Sequence, residues 1–344
     1  MENECKFVCS RGILKSCDIF SARPISSIRQ LIGYDFSKCS EANGSETNGS
    51  ETNVSEAKGQ TLYICGSALP HFINVLFPIF PYKIILVTGD CDETCWTDLF
   101  DSYEAFVKFI DNDKIIHWFS QNCIMSHKKL TRIPIGLDYH TMTNGPTKWG
   151  PALKPGDQET ILNNIQRVPF WERTYKCYSN FHFFTTTKYG YDRLDAIKQI
   201  PSKLVYYEPT HIIRETSWTK QSKYAFVISP HGGGLDCHRL WEALVLGCIP
   251  IVKASGIDAL YTDLPVLIVK DWSDITKKLL RETILNFKTK VFNYDKLLLS
   301  YWMNLIRSKS LTTPASTAFA PTTSASATTS ANAPKDNSPK ETGI

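Results

Sequence analysis

The stretch that decides the fold is Tyr224–Val252, YAFVISPHGGGLDCHRLWEALVLGCIPIV. Its first run, Ala225–Ile228, is short, continuous and apolar, the pattern of a buried strand. Ser229, Pro230, His231 and three consecutive glycines, Gly232, Gly233 and Gly234, end that strand, and a helix is expected to begin near Asp236. Along the helix Leu240, Ala243, Leu244 and Gly247 follow the i, i+3, i+4, i+7 spacing of a packed face, while His238, Arg239 and Glu242 gather on another. Gly247, Cys248, Ile249 and Pro250 then close the helix and open the strand Ile249–Val252. Strand, glycine loop and helix N-terminus together make a potential anion site, because free backbone N–H groups converge there with the positive end of the helix. A carboxylate one turn inside such a helix can accept hydrogen bonds from two ribose hydroxyls, and a nearby Arg or His can stabilise a diphosphate. Arg239 and Glu242 read equally well as an ion pair along one helix.

The same style extends in both directions. Leu62–Cys65, Ile84–Val87, Lys114–Phe119 and Ile133–Leu137 read as strands and Asp98–Ile110 as a helix. Further on, the strand patterns Phe181–Phe184, Leu204–Tyr207 and Val266–Val269 alternate with the helical patterns Arg193–Ile200, Ser217–Tyr224 and Trp272–Leu280. Strands alternating with helices predict an α/β chain whose parallel sheets carry helices on both faces. Two such Rossmann-like units in tandem, 1–168 and 169–308, leave a cleft between them, with the Pro/Gly-rich segment from Gly145 as the crossing. A last pattern, Tyr294–Arg307, predicts a helix that returns across both units.

Two segments depart from this pattern. Residues 40–59 divide into SEANG, SETNG, SETNV and SEAKG, a polar tandem repeat expected to form a disordered insertion in the first unit. Its sequons at Asn43, Asn48 and Asn53 read as by-products of the repeat. Residues 309–344 are dominated by Ser, Thr, Ala and Pro and are expected to be a disordered tail.

Composition narrows the classes. In 344 residues, Lys+Arg 38 against Asp+Glu 34 leaves a net charge of +4, too slight a surplus to point to nucleic acid. No secretory signal is expected, since Glu2, Glu4, Lys6 and Arg11 interrupt the N-terminus. The most apolar window, Leu69–Val87, contains Pro70, Pro78, Pro81 and Lys83, so no transmembrane segment is expected and the chain reads as soluble and cytoplasmic. The 11 cysteines are scattered singly and read as reduced thiols.

The run R-x-x-E-A-L, Arg239 to Leu244, followed by G-C-I-P-I-V, Gly247 to Val252, resembles the C-terminal domain of exostosin-type glycosyltransferases. The likeness covers about Leu204–Leu280. It implies a GT-B architecture, two Rossmann-like domains facing a cleft, with the first the acceptor domain and the second holding the sugar nucleotide. By position, Glu242 would hold the ribose and Arg239 the diphosphate. The resemblance implies transfer of a hexosyl or pentosyl group from a nucleoside-diphosphate sugar to a hydroxyl of a glycan or protein acceptor. Family members usually carry a membrane anchor. Without one here, a soluble relative of protist, algal or large-virus kind is the expectation.

Around that core the donor-side candidates are Arg193, Gly232, Gly233, Gly234, Asp236, His238, Arg239 and Glu242. Arg193 and Lys188 lie in FFTTTKYGYDR, 183–193, a second phosphate-facing loop in this architecture or a solvated helix start. Arg214 and Trp218 could contribute base or phosphate contacts. Asp90 and Asp92, in TGDCDE after the strand Ile84–Val87, are acceptor-side candidates. Their Asp-x-Asp spacing is also a metal–diphosphate motif, which keeps a metal-dependent transferase open although no metal or other cofactor is required by the first reading. Asp138, His140 and His231 are candidates for the base that removes the acceptor's proton. A non-catalytic nucleotide- or sugar-binding module is the alternative from another class. His231-Gly232-Gly233-Gly234 also matches the oxyanion loop of lipases, but the sequence has no G-x-S-x-G nucleophile elbow to accompany it.

Overall fold

The computed structural model describes residues 2–20, 60–80, 82–181 and 186–310. The repeat at 40–59, Phe183, Phe184 and all of the tail beyond Ser310 lie outside the described residues.

Two parallel sheets form the scaffold. The first contains β1 (Gln60–Cys65), β2 (Ile84–Gly89), β3 (Ile115–Ser120) and β4 (Leu130–Arg132), side by side in that order. The second contains β5 (Thr174–Ser179), β6 (Val205–Tyr207), β7 (Tyr224–Ile228), β8 (Ile249–Lys253) and β9 (Leu267–Val269), in the order β6-β5-β7-β8-β9. All pairings in both are parallel. The expected α/β architecture of two parallel-sheet units is therefore what the structure shows. In the second sheet the chain winds one way to β6 and the other way to β7. The crevice outside the C-terminal ends of β5 and β7 is thus the switch point where doubly wound sheets bind ligands.

The strands alternate their side chains between two cores, as period-2 geometry requires. In the first sheet Leu62, Ile64, Leu86 and Trp118 face one cluster with Phe106, Phe109 and Ile110 of helix α2 (Tyr103–Ile110). Tyr63, Ile85, Val87 and Phe119 face the opposite side, toward a central cluster that also takes Val227 of β7 and Val252 of β8. Phe226, Ile228, Ile249 and Ile251 turn to the far side of the second sheet, against Ala196 of α4 (Tyr191–Gln199) and Leu280 and Ile284 of α7 (Lys277–Thr289). The two sheets thus share one buried core. Helix α1 (Ser10–Ser16), α3 (Pro155–Asn164), α5 (Arg214–Gln221), α6 (His238–Val245) and α8 (Leu299–Ser308) complete the chain. Trp302, Met303 and Ile306 of α8 enter the central cluster with Ile13 and Leu14 of α1, so the return helix predicted at Tyr294–Arg307 is present from Leu299.

Several elements differ from expectation. The segment Ile133–Leu137 is not a strand: β4 ends at Arg132, and Pro134, which has no N–H for a ladder, follows. Beyond it Ile135 N donates to Asp236, while Ser10 N donates to Ile135 O and Leu137 N to Val8 O, so the segment is tied to other elements instead. The helix expected from Asp98 starts at Tyr103, because the Ser102 hydroxyl caps it by accepting from Ala105 N at 3.1 Å. A strand lies at Thr174–Ser179, where apolar and polar residues are mixed, and of the strand expected at Phe181–Phe184 only Phe181 is among the described residues, outside any strand. Helix α6 begins two residues later than expected, at His238 with Cys237 as its cap, and ends at Gly247 in the left-handed conformation (φ 74°), where the N–H groups of Gly247 and Cys248 return to Leu244 and Ala243.

Candidate functional site

Three cavities adjoin along the C-terminal ends of the strands. The first, ≈ 170 Å³, is lined by Trp149, Asn180, Phe181, Tyr207, Glu208 and His211 and is the aromatic end. It shares Trp149 and Asn180 with a second cavity of ≈ 150 Å³, lined also by Asp138, Arg214, His238, Arg239 and Glu242. The second shares His238 with a third, ≈ 340 Å³, which Asp90, Asp92, Glu93, Ser67 and His140 surround. One groove therefore runs from aromatic through mixed charge to acidic. A larger cavity, ≈ 770 Å³, lies near the N-terminal starts of β5 and β7; its two arginines, Arg167 and Arg173, are held by backbone carbonyls of Val245, Leu162 and Val168.

The middle of the groove is built by α6 and by the loop after β4. The spacing that placed His238, Arg239 and Glu242 off the packed face of α6 brings all three to this cavity. Glu242 Oε1 lies 3.9 Å from Arg214 Nε, so its ion-pair neighbour is on α5 rather than one turn back at Arg239. Arg239 donates weakly to Pro230 O at 3.4 Å and its guanidinium lies 5.5 Å from the centre of the Phe181 ring. Arg214, on the first turn of α5, binds Asp138 Oδ2 at 2.7 Å and also reaches the Asp138 carbonyl. Burial opposes ionisation of Asp138, but His238, Arg214 and His140 beside it hold its carboxyl well below the usual carboxylate range.

Asp138 and His140 come together: His140 Nδ1 is 3.1 Å from Asp138 Oδ1. The His140 ring stands edge-on to that of His238 at 5.8 Å, and burial lowers its pKa against the pull of Asp138. His238 Nδ1 donates to Gly136 O at 2.7 Å, which leaves Nε2 as its second ring nitrogen. Gly136 itself requires a glycine: its φ is +66°, and a β-carbon there would stand 2.1 Å from Val8 O.

His231, the third candidate base, is separated from this group. It is buried, with Nδ1 2.8 Å from Leu235 O and Nε2 3.2 Å from Lys253 O, so both ring nitrogens face backbone carbonyls.

The glycine run also plays a different part from the one expected. A β-carbon at Gly232 would stand 2.3 Å from Arg193 Nη2, one at Gly233 2.0 Å from Asp92 Oδ2, and one at Gly234 2.5 Å from Asn122 Nδ2. The three glycines make room for side chains in place of a phosphate, two of them delivered by the loops after β2 and β3. Asp92 thereby packs against the glycine loop. Burial and Glu93 raise its pKa, against the lowering by His238, the Gly234 backbone and Arg193. Arg193 is drawn to this loop as expected, while Lys188 turns to Asp98 at 2.6 Å.

Asp236 lines none of the three groove cavities. It is 2% exposed and accepts from Ile135 N at 2.8 Å, Trp241 Nε1 at 2.9 Å and Tyr261 OH at 3.3 Å, so its carboxylate ties the two halves together. Burial raises its pKa to about 6. Asp90 is likewise engaged, with Ser10 Oγ at 3.3 Å and Arg11 Nε at 3.6 Å, and it adopts φ 54° at the end of β2.

Several lining residues carry no motif and were not singled out by the sequence: Trp149, Asn180, Tyr207 and Glu93. Tyr207 OH and Asn180 Oδ1 are buried polar atoms with no hydrogen-bond partner among the described residues, on residues that line the aromatic cavity. No helix among the described residues is long and apolar enough to cross a membrane.

No family model matches the chain, and no curated protein matches it. Among solved structures it is similar to one described as "Trehalose-6-phosphate from E. coli bound with UDP-2-fluoro glucose", at 10% identity and a TM-score of 0.32, over 73% of this chain and 70% of that one. It is also similar to the glycotransferase of kitacinnamycin, at 10% identity and a TM-score of 0.29, over 75% of this chain and 73% of that one.

Proposed function

We propose that the protein is a glycosyltransferase that moves a sugar from a nucleoside-diphosphate donor to a hydroxyl acceptor. The observation that carries the reading is the order of the groove: aromatic, then mixed charge, then acidic. A nucleotide sugar has the matching order of base, ribose and diphosphate, and sugar. The base would lie among Trp149, Tyr207 and His211, with Tyr207 OH and Asn180 Oδ1 toward its polar edge. Glu242 would accept from the ribose hydroxyls, and Arg239 and Arg214 would stabilise the diphosphate.

The sugar and its acceptor would meet in the acid-lined cavity. There Asp92 is the carboxylate placed to take the acceptor's proton, since Asp90 is bound to Ser10 and Arg11. The exostosin-type reading rests on the sequence run from Arg239 to Val252, of which Arg239 and Glu242 line the mixed-charge cavity.

A thermal-shift titration with UDP, GDP, CDP and ADP tests the proposal. One nucleotide at ~100 times its dissociation constant should stabilise the fold by ~2.7 kcal/mol, and Glu242→Ala should abolish that response in a protein that still folds. No stabilisation by any of the four would overturn the donor site. Stabilisation without sugar transfer to any hydroxyl acceptor would leave a binding module.

A further inference from the structure

We propose that Asp138, His140 and His238 bind one divalent transition-metal ion where the mixed-charge and acid-lined parts of the groove meet. For its role, though not for its existence, this rests on the reading above: the ion would stand where the donor's diphosphate passes.

The three residues each offer one ligand atom, and these atoms lie within 4.8 Å of one another. Metal–ligand bonds of about 2.0–2.2 Å set neighbouring donors about 3.4 Å apart in tetrahedral geometry, so closure takes side-chain shifts of about an ångström. His140 Nδ1 and Asp138 Oδ1 are already 3.1 Å apart.

The surroundings orient the set as ligands. A coordinating imidazole usually donates its other N–H to a carbonyl or carboxylate, which fixes the ring. His238 Nδ1 does so to Gly136 O at 2.7 Å. The Asp138 carboxylate is clamped from behind, with Arg214 on Oδ2 at 2.7 Å and the backbone N–H of Thr141 on Oδ1 at 3.0 Å.

Two imidazoles and one carboxylate select zinc, cobalt, manganese or iron over magnesium and calcium, which prefer oxygen alone. Three protein ligands leave at least one coordination position for a substrate oxygen. The groove supplies a reason for the charge. Asp90, Asp92 and Glu93 surround the cavity that His140 and His238 border, and a diphosphate moving toward them meets carboxylate repulsion that a divalent ion reverses. The ligands come from both halves of the molecule, Asp138 from the loop after β4, His140 from the start of the short helix His140–Thr143 that follows it, and His238 from the first turn of α6. The site therefore exists only where the two meet.

The test uses the full chain without a purification tag, freed of metal by a chelator and titrated with Co2+. The expected result is one Co2+ per chain with visible absorption bands of histidine coordination, displaced by Zn2+. His238→Gln and His140→Gln should each weaken binding about a hundredfold or more, with far-ultraviolet circular dichroism unchanged. If His238→Gln does not fold, His140→Gln, whose side chain is 26% exposed, serves alone. Absence of a stoichiometric ion in the wild type, or equal affinity in a folded variant, overturns the site. Repeating the nucleotide titration with chelator separates the two proposals. Metal binding without nucleotide binding leaves the site standing and removes the transferase, whereas nucleotide binding without any ion does the reverse.

Discussion

The carboxylate of Asp92 fills the space that a side chain at Gly233 would need: a β-carbon on residue 233 would lie 2.0 Å from Asp92 Oδ2 and 2.4 Å from Asp92 Cγ. Asp92 comes from the loop after β2 and Gly233 from the loop after β7, so the glycine records a close approach between the two halves.

Gly233→Ala should therefore destabilise the protein by about 1–3 kcal/mol, the usual range for overpacking a filled site. Most of that cost should vanish in the double variant with Asp92→Gly. Urea unfolding of the four proteins in this cycle measures the coupling, and additive effects would show that the contact does not matter.

The hydroxyl of Tyr207 gives a prediction in which stability and binding part company. It is buried without a partner among the described residues, so Tyr207→Phe should leave the melting temperature unchanged or raise it slightly. If the hydroxyl meets the nucleobase, the same change should weaken nucleotide binding by about tenfold, the size of one neutral hydrogen bond. Calorimetric titration reads the second effect.

Much of the scaffold was legible because its signals are local. Ile84–Val87 and Ala225–Ile228 are apolar runs of strand length, and the spacing of Leu240, Ala243 and Leu244 is helical, so burial could be read directly from order in the chain. The mixed pattern of Thr174–Ser179 carries no such signal. The site divided along the same line. His238, Arg239 and Glu242 share a helix face and were found together, whereas the pairing of Glu242 with Arg214, 28 residues earlier, and the filling of the glycine loop by Asp92 and Asn122 are made by tertiary contact alone.

His117 should make stability fall in acid. It is buried in β3, 2.8 Å from Thr131 Oγ1, and burial lowers its pKa from 6.5 to about 4, with Lys309 and His127 adding to the effect. A histidine whose folded pKa lies below its unfolded value takes up its proton first in the unfolded chain, so stability is full above pH 6.5 and declines as the pH falls toward 4. The decline should amount to roughly 3 kcal/mol. Unfolding curves of wild type and His117→Gln over this window measure it, and parallel profiles would remove His117 as the cause.

Asp236 holds three donors at once, from Ile135, Trp241 and Tyr261. Asp236→Ala should cost about 3–5 kcal/mol, because buried donors lose their common acceptor. Chemical denaturation tests the size of the loss, and a change below about 1 kcal/mol would show that water replaces the carboxylate.

The core shared by the two sheets sets how this molecule can be divided. Tyr63, Val87 and Phe119 from the first sheet lie in one cluster with Val227, Trp241 and Val252 from the second half, and Ile306 near the end of the described chain joins them. Neither half has a finished inner surface. A chain cut in the crossing segment should yield fragments that aggregate when made singly and reassemble when made together, and exchange of one half for that of another protein should fail unless its inner face is exchanged as well. The two halves would then unfold together as a single cooperative unit.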